Sequence, residues 1–158
     1  MPLRKPDIAF IPTPQAAIDA VLDLAQITAS DLVYDLGCGD GQILISAAQQ
    51  ARSHGVGIDI DSAQIKAAQA NAKQAGVDHL VQFRHEDLFE CRFETATVVI
   101  LYLLPHLNLK LRPALLSQLK PGARIVSIDF DMADWLPEET IKLDIEEETT
   151  LYRWTIPS

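Results

Sequence analysis

Hydrophobic positions in this chain follow two alternating rhythms. Over residues 14 to 26, Ile18, Val21, Leu22 and Ala25 recur at helical spacing, with Thr13 available as a cap and Pro14 suited to the first helical position. Residues 32 to 36 are a continuous apolar run of strand length. Residues 42 to 52 return to the helical rhythm through Ile43, Leu44, Ala47, Ala48 and Ala51. "VGIDI" at 56 to 60 predicts a second strand, and Asp61 or Ser62 then starts an alanine-rich helix that Gly76 ends. "HLVQFRHEDL" holds a third strand and "TATVVILYLL" a fourth. Leu107, Leu111, Leu115 and Leu119 mark another helix, in which Pro113 makes a kink or starts a second part. "PGARIVSIDF" supplies a turn and a fifth strand.

Strands that are apolar throughout are buried on both faces, as in a parallel sheet covered by helices. After residue 136 the pattern changes. "IKLDIEEETTLYRWTI" predicts two strands with a polar turn and Thr-Thr between them, an antiparallel hairpin at one sheet edge. The expectation is an α/β fold with a seven-stranded sheet: five parallel strands, a C-terminal hairpin, and helices on both faces. The connection between residues 88 and 96 is short enough to be only a turn.

At 158 residues the chain suits one domain, 1 to 158, with no internal repeat or linker. No apolar run approaches the roughly 20 residues that span a bilayer, and the N-terminus has no secretory pattern, so the cytoplasm is the default location. Cys38 and Cys91 are too few for a disulfide framework or a zinc site, and each reads as a small buried residue. The net charge of −9 disfavours a nucleic-acid substrate and suits a basic partner, or serves solubility alone.

Candidate chemistry gathers where the strands end. In "LVYDLGCGDGQ", Asp35 closes the first strand and Gly37, Gly39 and Gly41 form the turn into the next helix. Ligands of such folds bind beyond the carboxyl ends of the strands, near the topological switch point. Three readings compete. A dinucleotide loop would need its third glycine one residue later and tolerates poorly an acid beside pyrophosphate. A nucleoside with a zwitterionic tail would use the acid for its ammonium and free N–H groups for its carboxylate. A structural turn would bind nothing. Two further acids favour the second reading. Asp59 ends the second strand, where a carboxylate can accept from both ribose hydroxyls, and Ile60 offers an apolar surface to a purine. Asp87 follows the third strand, where it can accept from an exocyclic amine, with Leu88 flanking the ring.

"VYDLGCGDG", "VGIDID", "EDLF" and "LKPGARIVS" resemble, in order, the motifs of the Rossmann-like, seven-strand S-adenosylmethionine-dependent methyltransferases, over nearly the whole chain. The resemblance implies that Asp35 and the loop Gly37, Cys38, Gly39 and Gly41 hold the methionine portion, Asp59 the ribose, and Asp87 with Leu88 the adenine. "FIPTPQ" and "LYLLPHLNLKLRP" are similar to a small subfamily that includes mitochondrial protein-lysine methyltransferases acting on the ATP synthase c subunit and the adenine nucleotide translocase. It implies a protein lysine as methyl acceptor, no nucleic acid, no stable membrane insertion and no metal. The alternatives are a small-molecule acceptor, or a non-catalytic S-adenosylmethionine-binding partner subunit.

On the acceptor side, Tyr102 ends the fourth strand, where it can orient an amine or merely pack at the sheet edge. Leu103-Leu104-Pro105 departs from the Asn/Asp-Pro-Pro-aromatic sequence of enzymes that methylate base amines. Asp129, Asp131 and Asp134 follow the fifth strand and can attract a basic substrate or accept a proton through water. Alternation predicts Asp129 and Asp131 on the same side, and Asp134 reads rather as a solvated loop residue. His106 reads as a surface histidine at a helix start. Glu146, Glu147 and Glu148 read as a solvated edge of the hairpin. Residues 1 to 13 are a candidate lid, with Phe10 and Thr13 over the cofactor.

Overall fold

A computed structural model describes residues 13–145 and 148–158. Eleven elements follow in order: α1 (Gln15–Leu24), β1 (Leu32–Leu36), α2 (Gln42–Ala51), β2 (His54–Asp59), α3 (Ser62–Gln74), β3 (Val81–His85), β4 (Val98–Leu101), α4 (Pro105–Gln118), β5 (Arg124–Ile128), β6 (Glu139–Leu143) and β7 (Thr149–Thr155). The strands form one sheet in the order β3-β2-β1-β4-β5-β7-β6. The first five are parallel, and β7 runs antiparallel between β5 and β6. The chain winds outward from β1 through β2 to β3 and returns to β4 on the other side of β1, so the switch point lies between β1 and β4. No described helix is long and apolar enough to cross a membrane.

The expected architecture is present, and its details differ for physical reasons. Pro14, not Thr13, occupies the cap of α1, and no side chain caps that helix. Asp61 caps α3, accepting from the Ala63 N–H at 2.9 Å. Gly76, at φ +73°, follows that helix, where it turns the chain with no side-chain penalty. Pro113 lies inside a continuous α4 and does not divide it. The connection from β3 to β4 contains no helix. Thr149 and Thr150 belong to β7 and do not form the turn: their backbones pair with Leu143 and Lys142. Glu148 is exposed, as expected of a solvated edge, and Glu146 and Glu147 lie outside the described residues.

Strand alternation sorts the core into two layers. Val33, Ile100 and Val126 face the layer packed by α1, α2 and α3, while Tyr34, Leu36, Ile58 and Leu101 face the layer that α4 and Trp154 complete. In β2 the apolar layer side is taken by Val56 and Ile58, which leaves Gly55 and Gly57 facing the helices. Gly57 is needed there. A Cβ on it would stand 2.6 Å from the Phe83 ring and 2.8 Å from the Cys38 sulfur. The missing side chain lets the β1–α2 loop lie directly on β2.

Gly57→Ala should therefore overpack this contact and lower unfolding free energy by about 1–3 kcal/mol. Urea titration should show an earlier midpoint with an unchanged slope. An unchanged midpoint would mean that the loop does not rest on this strand as described.

Candidate active site

The carboxyl ends of β1, β2 and β3 bring together the glycine loop, Asp59 and Asp87. The loop is tied to its neighbour by its backbone: the N–H groups of Gly37 and Cys38 both donate to the Ile58 carbonyl, at 2.8 and 3.0 Å. The Gly39 N–H donates to Asp59 Oδ2 at 2.9 Å, and the Asp61 N–H donates to Asp59 Oδ1 at 2.9 Å. Asp59 thus orders two loops with one lone pair of each oxygen and keeps further acceptor capacity on both. Gly41, at φ +84°, closes the turn, and a Cβ there would meet the Phe83 ring at 2.7 Å. Asn71 fixes the loop from α3 by donating to the Asp40 carbonyl at 3.1 Å.

Asp35 sits on β1 opposite Gly57 and is only 3% exposed. Among the described residues, no hydrogen bond reaches its carboxylate. Burial first, and the charge of Asp59 second, push its carboxyl up to about 7. A buried acid with no donor among the described residues, beside a second acid, is stabilised as a carboxylate by a positive charge. Cys38 is buried in the same loop, and its thiol donates to the Gly39 carbonyl at 3.6 Å. Burial, with Asp35 and Asp59 adding to it, raises that thiol well above its ordinary range, so Cys38 is a packing residue and not a nucleophile.

The remaining predicted residues take distinct places. Ile60 is half-buried, and His85 Nε2 lies 2.9 Å from its carbonyl oxygen. Asp87 is largely buried and accepts from the Phe89 N–H at 3.0 Å. Leu88 packs into the α4-side core. Thr13 is half-buried just before α1, and Phe10 lies outside the described residues. His106 is exposed, as expected of a surface histidine.

At the ends of β4 and β5, the Tyr102 hydroxyl donates to Asp129 Oδ2 at 3.2 Å. Asp129 is in the left-handed region, φ +67°, and is clamped to β7: its N–H donates to the Thr150 carbonyl at 2.7 Å, and its Oδ1 accepts from the Thr150 N–H at 3.0 Å. Strand alternation therefore does not extend to Asp129 and Asp131. The chain has already turned, and Asp131 is exposed and accepts from the Ala133 N–H at 3.2 Å. Asp134 is exposed and paired with Arg112. One aromatic neighbour went unread in the sequence: the Phe130 ring lies 6.4 Å from the Tyr102 ring, tilted by 39°. Its position between two acids hides it, because the turn that aims it follows from the backbone of Asp129.

The environment of Asp35 has a measurable consequence in the ligand-free protein. Its folded value, about 7, lies above the ordinary carboxylate value. Folding is therefore opposed progressively as pH rises from about 4 to about 7, and the full penalty persists above that. Asp35→Asn removes it. The melting temperature of the variant relative to the parent should be higher at pH 8 than at pH 5, by at least about 2 °C. An equal difference at both pH values would place Asp35 in a hydrated setting.

Comparison with known proteins converges on one family. The model of the ANTKMT methyltransferase domain matches residues 35–139. A protein-lysine N-methyltransferase from Saccharolobus islandicus is 38% identical over 153 residues, covering 96% of this chain and 95% of that protein. The adenine nucleotide translocase lysine N-methyltransferase of Mus musculus is 28% identical over 137 residues, and the match covers 87% of this chain but 59% of that protein. A crystal structure described as an RNA methyltransferase from Salinibacter ruber, in complex with S-adenosyl-L-homocysteine, superimposes with a TM-score of 0.88 at 52% identity, covering 93% of this chain and 94% of that one. The residues present fit the cofactor these comparisons indicate: a buried carboxylate without a hydrogen-bond donor among the described residues, suited to an ammonium, and a strand-end acid with acceptor capacity to spare, suited to a ribose. The chain belongs to the ANTKMT methyltransferase domain family and is an S-adenosylmethionine-dependent methyltransferase.

Proposed function

We propose that this chain methylates lysine amines on a protein. The observation that carries the reading is the Tyr102–Asp129 pair across the ends of β4 and β5, a hydroxyl oriented by a carboxylate. The bond to Asp129 fixes the direction of the Tyr102 hydroxyl at the edge of the sheet, where it can orient an incoming amine. The Tyr102 and Phe130 rings line an apolar approach, where partial desolvation favours the neutral, nucleophilic amine. The 38% identical relative, which spans the same length, carries the lysine name. The net charge of −9 suits a basic segment.

In this reading Asp35 meets the ammonium of the cofactor, the Gly37–Gly41 backbone cradles its amino-acid portion, and Asp59 accepts from the ribose. Asp87 accepts from the adenine amine, with Ile60 and Leu88 beside the ring and Thr13 at the mouth. The cofactor supplies an already activated methyl group. What the chain supplies is placement of the amine in line with it.

A second reading has one specific support, the RNA methyltransferase description of the 52% identical structure. The acidic balance of this chain opposes it, because phosphate contacts draw on lysine and arginine. The two readings separate in one experiment. Purified enzyme and radiolabelled S-adenosylmethionine are added to a lysate lacking the protein, and label is followed into protein, RNA and small molecules. The lysine reading expects label in protein, released as methyl-lysine on hydrolysis. Label in RNA alone would sink it.

Two substitutions test the residue roles. Asp59→Ala should weaken S-adenosylhomocysteine binding by about 1.5–3 kcal/mol, through lost charge-assisted bonds, as read by calorimetry. Tyr102→Phe should slow methyl transfer roughly threefold to tenfold while cofactor affinity stays nearly unchanged. Full transfer rates in Tyr102→Phe would make its hydroxyl a packing detail.

A further inference from the structure

We infer that Asn108 and Ser127 are positioning residues for the acceptor side, resting on the assignment of Tyr102 and Asp129 above. Asn108 lies in the first turns of α4 and is completely buried. Its side-chain nitrogen stands 3.2 Å from three oxygens at once: Ser127 Oγ, the Phe130 carbonyl and the Asp131 carbonyl. Ser127, also completely buried, donates its hydroxyl to the same Phe130 carbonyl at 2.6 Å. Three converging acceptors fix the orientation of the amide, since the flipped form would set oxygen against oxygen.

That orientation has a cost. Asn108 Oδ1 is buried and has no hydrogen-bond partner among the described residues. An amide kept at such a position serves through its nitrogen, and what the nitrogen holds is the turn after β5. Asp129 adopts its left-handed conformation within this turn, between Ser127 on one side and the Phe130 and Asp131 carbonyls on the other. The same helix begins at Pro105, three residues after Tyr102. Asn108 therefore ties the segment that carries Tyr102 to the turn that carries Asp129 and Phe130. It has no direct contact with Tyr102 or Asp129 among the described hydrogen bonds, so its influence passes through backbone placement.

Asn108→Leu keeps the branching and the heavy-atom count, removes the donor and relieves the orphaned oxygen, while Ser127 still donates to the Phe130 carbonyl, so the fold should survive. Ser127→Ala is the milder companion. Two readouts are combined. Amide hydrogen exchange is followed in protein saturated with S-adenosylhomocysteine, and methyl transfer is followed with an unstructured lysine-bearing peptide. Exchange at the Asp129 and Thr150 amides should accelerate in Asn108→Leu while that of β1 and β2 is unchanged. The catalytic rate constant should fall at least about tenfold, as misplacement of reacting groups by a fraction of an ångström allows, and roughly threefold in Ser127→Ala. Cofactor affinity should not move. Adding Asp129→Asn to Asn108→Leu should bring little further loss, because both act through one group.

Unchanged exchange at Asp129 and Thr150 would overturn the inference, as would additive losses in the double variant. Loss of rate in Asp129→Asn but not in Asn108→Leu would overturn it while leaving the role of Asp129 intact. Full rate in Asp129→Asn alone would instead remove the assignment on which the inference rests.

Discussion

Asp35 is held at the carboxyl end of β1 with Asp59 for a neighbour and with no donor to its carboxylate among the described residues. A buried carboxylate in that setting is costly, and the cost falls when the group takes up a proton or a positive charge enters. The sheet topology makes this arrangement unavoidable. Asp35 and Asp59 lie on adjacent parallel strands, on the face where Gly57 makes room for Phe83 and Cys38. The glycine loop then drops onto β2 and closes the site from the side of α2. In the proposed reading, a place for the ammonium of the cofactor is thus built into the packing of the central strands.

The two halves of the site are held by different means. The cofactor half depends on backbone hydrogen bonds to Ile58 and on the two N–H groups that Asp59 collects. It is a product of the β1–β2 register. The acceptor half depends on side chains reaching across β4, β5, β7 and α4. There Asp129 bonds Tyr102 and Thr150, and Asn108 holds the turn between them. In the proposed reading, this division separates a cofactor frame built on backbone from an acceptor region built on side chains.

Much of the cofactor half was legible in the sequence. Strands apolar from end to end announced a parallel sheet, and acids after the first three strands marked its binding edge. The glycines showed where the backbone turns and packs closely, as Gly41 does against Phe83. The acceptor half was less legible, because alternation stops where the chain turns. Asp129 and Asp131 read as a same-side pair, yet the left-handed φ of Asp129 separates them. Phe130 was hidden by the same turn. Thr149 and Thr150 looked like turn residues from composition, but their backbones pair with β6, and that of Thr150 also bonds Asp129. Asn108 lies within the stretch LYLLPHLNLKLRP, but nothing there singles it out: one amide on a leucine-rich helix is conspicuous only once three oxygens are seen to converge on it.

The central claim, that a buried acid pair is arranged for a cationic cofactor, predicts a proton count. At pH 6 the Asp35 carboxyl, raised to about 7, is mostly protonated in the free protein. Binding of S-adenosylmethionine should ionise it and release about one proton. Calorimetric titrations in buffers of different ionisation enthalpy read this number directly. The account predicts release at pH 6 from the parent protein and none from Asp35→Asn. The same proton count in both proteins would contradict it.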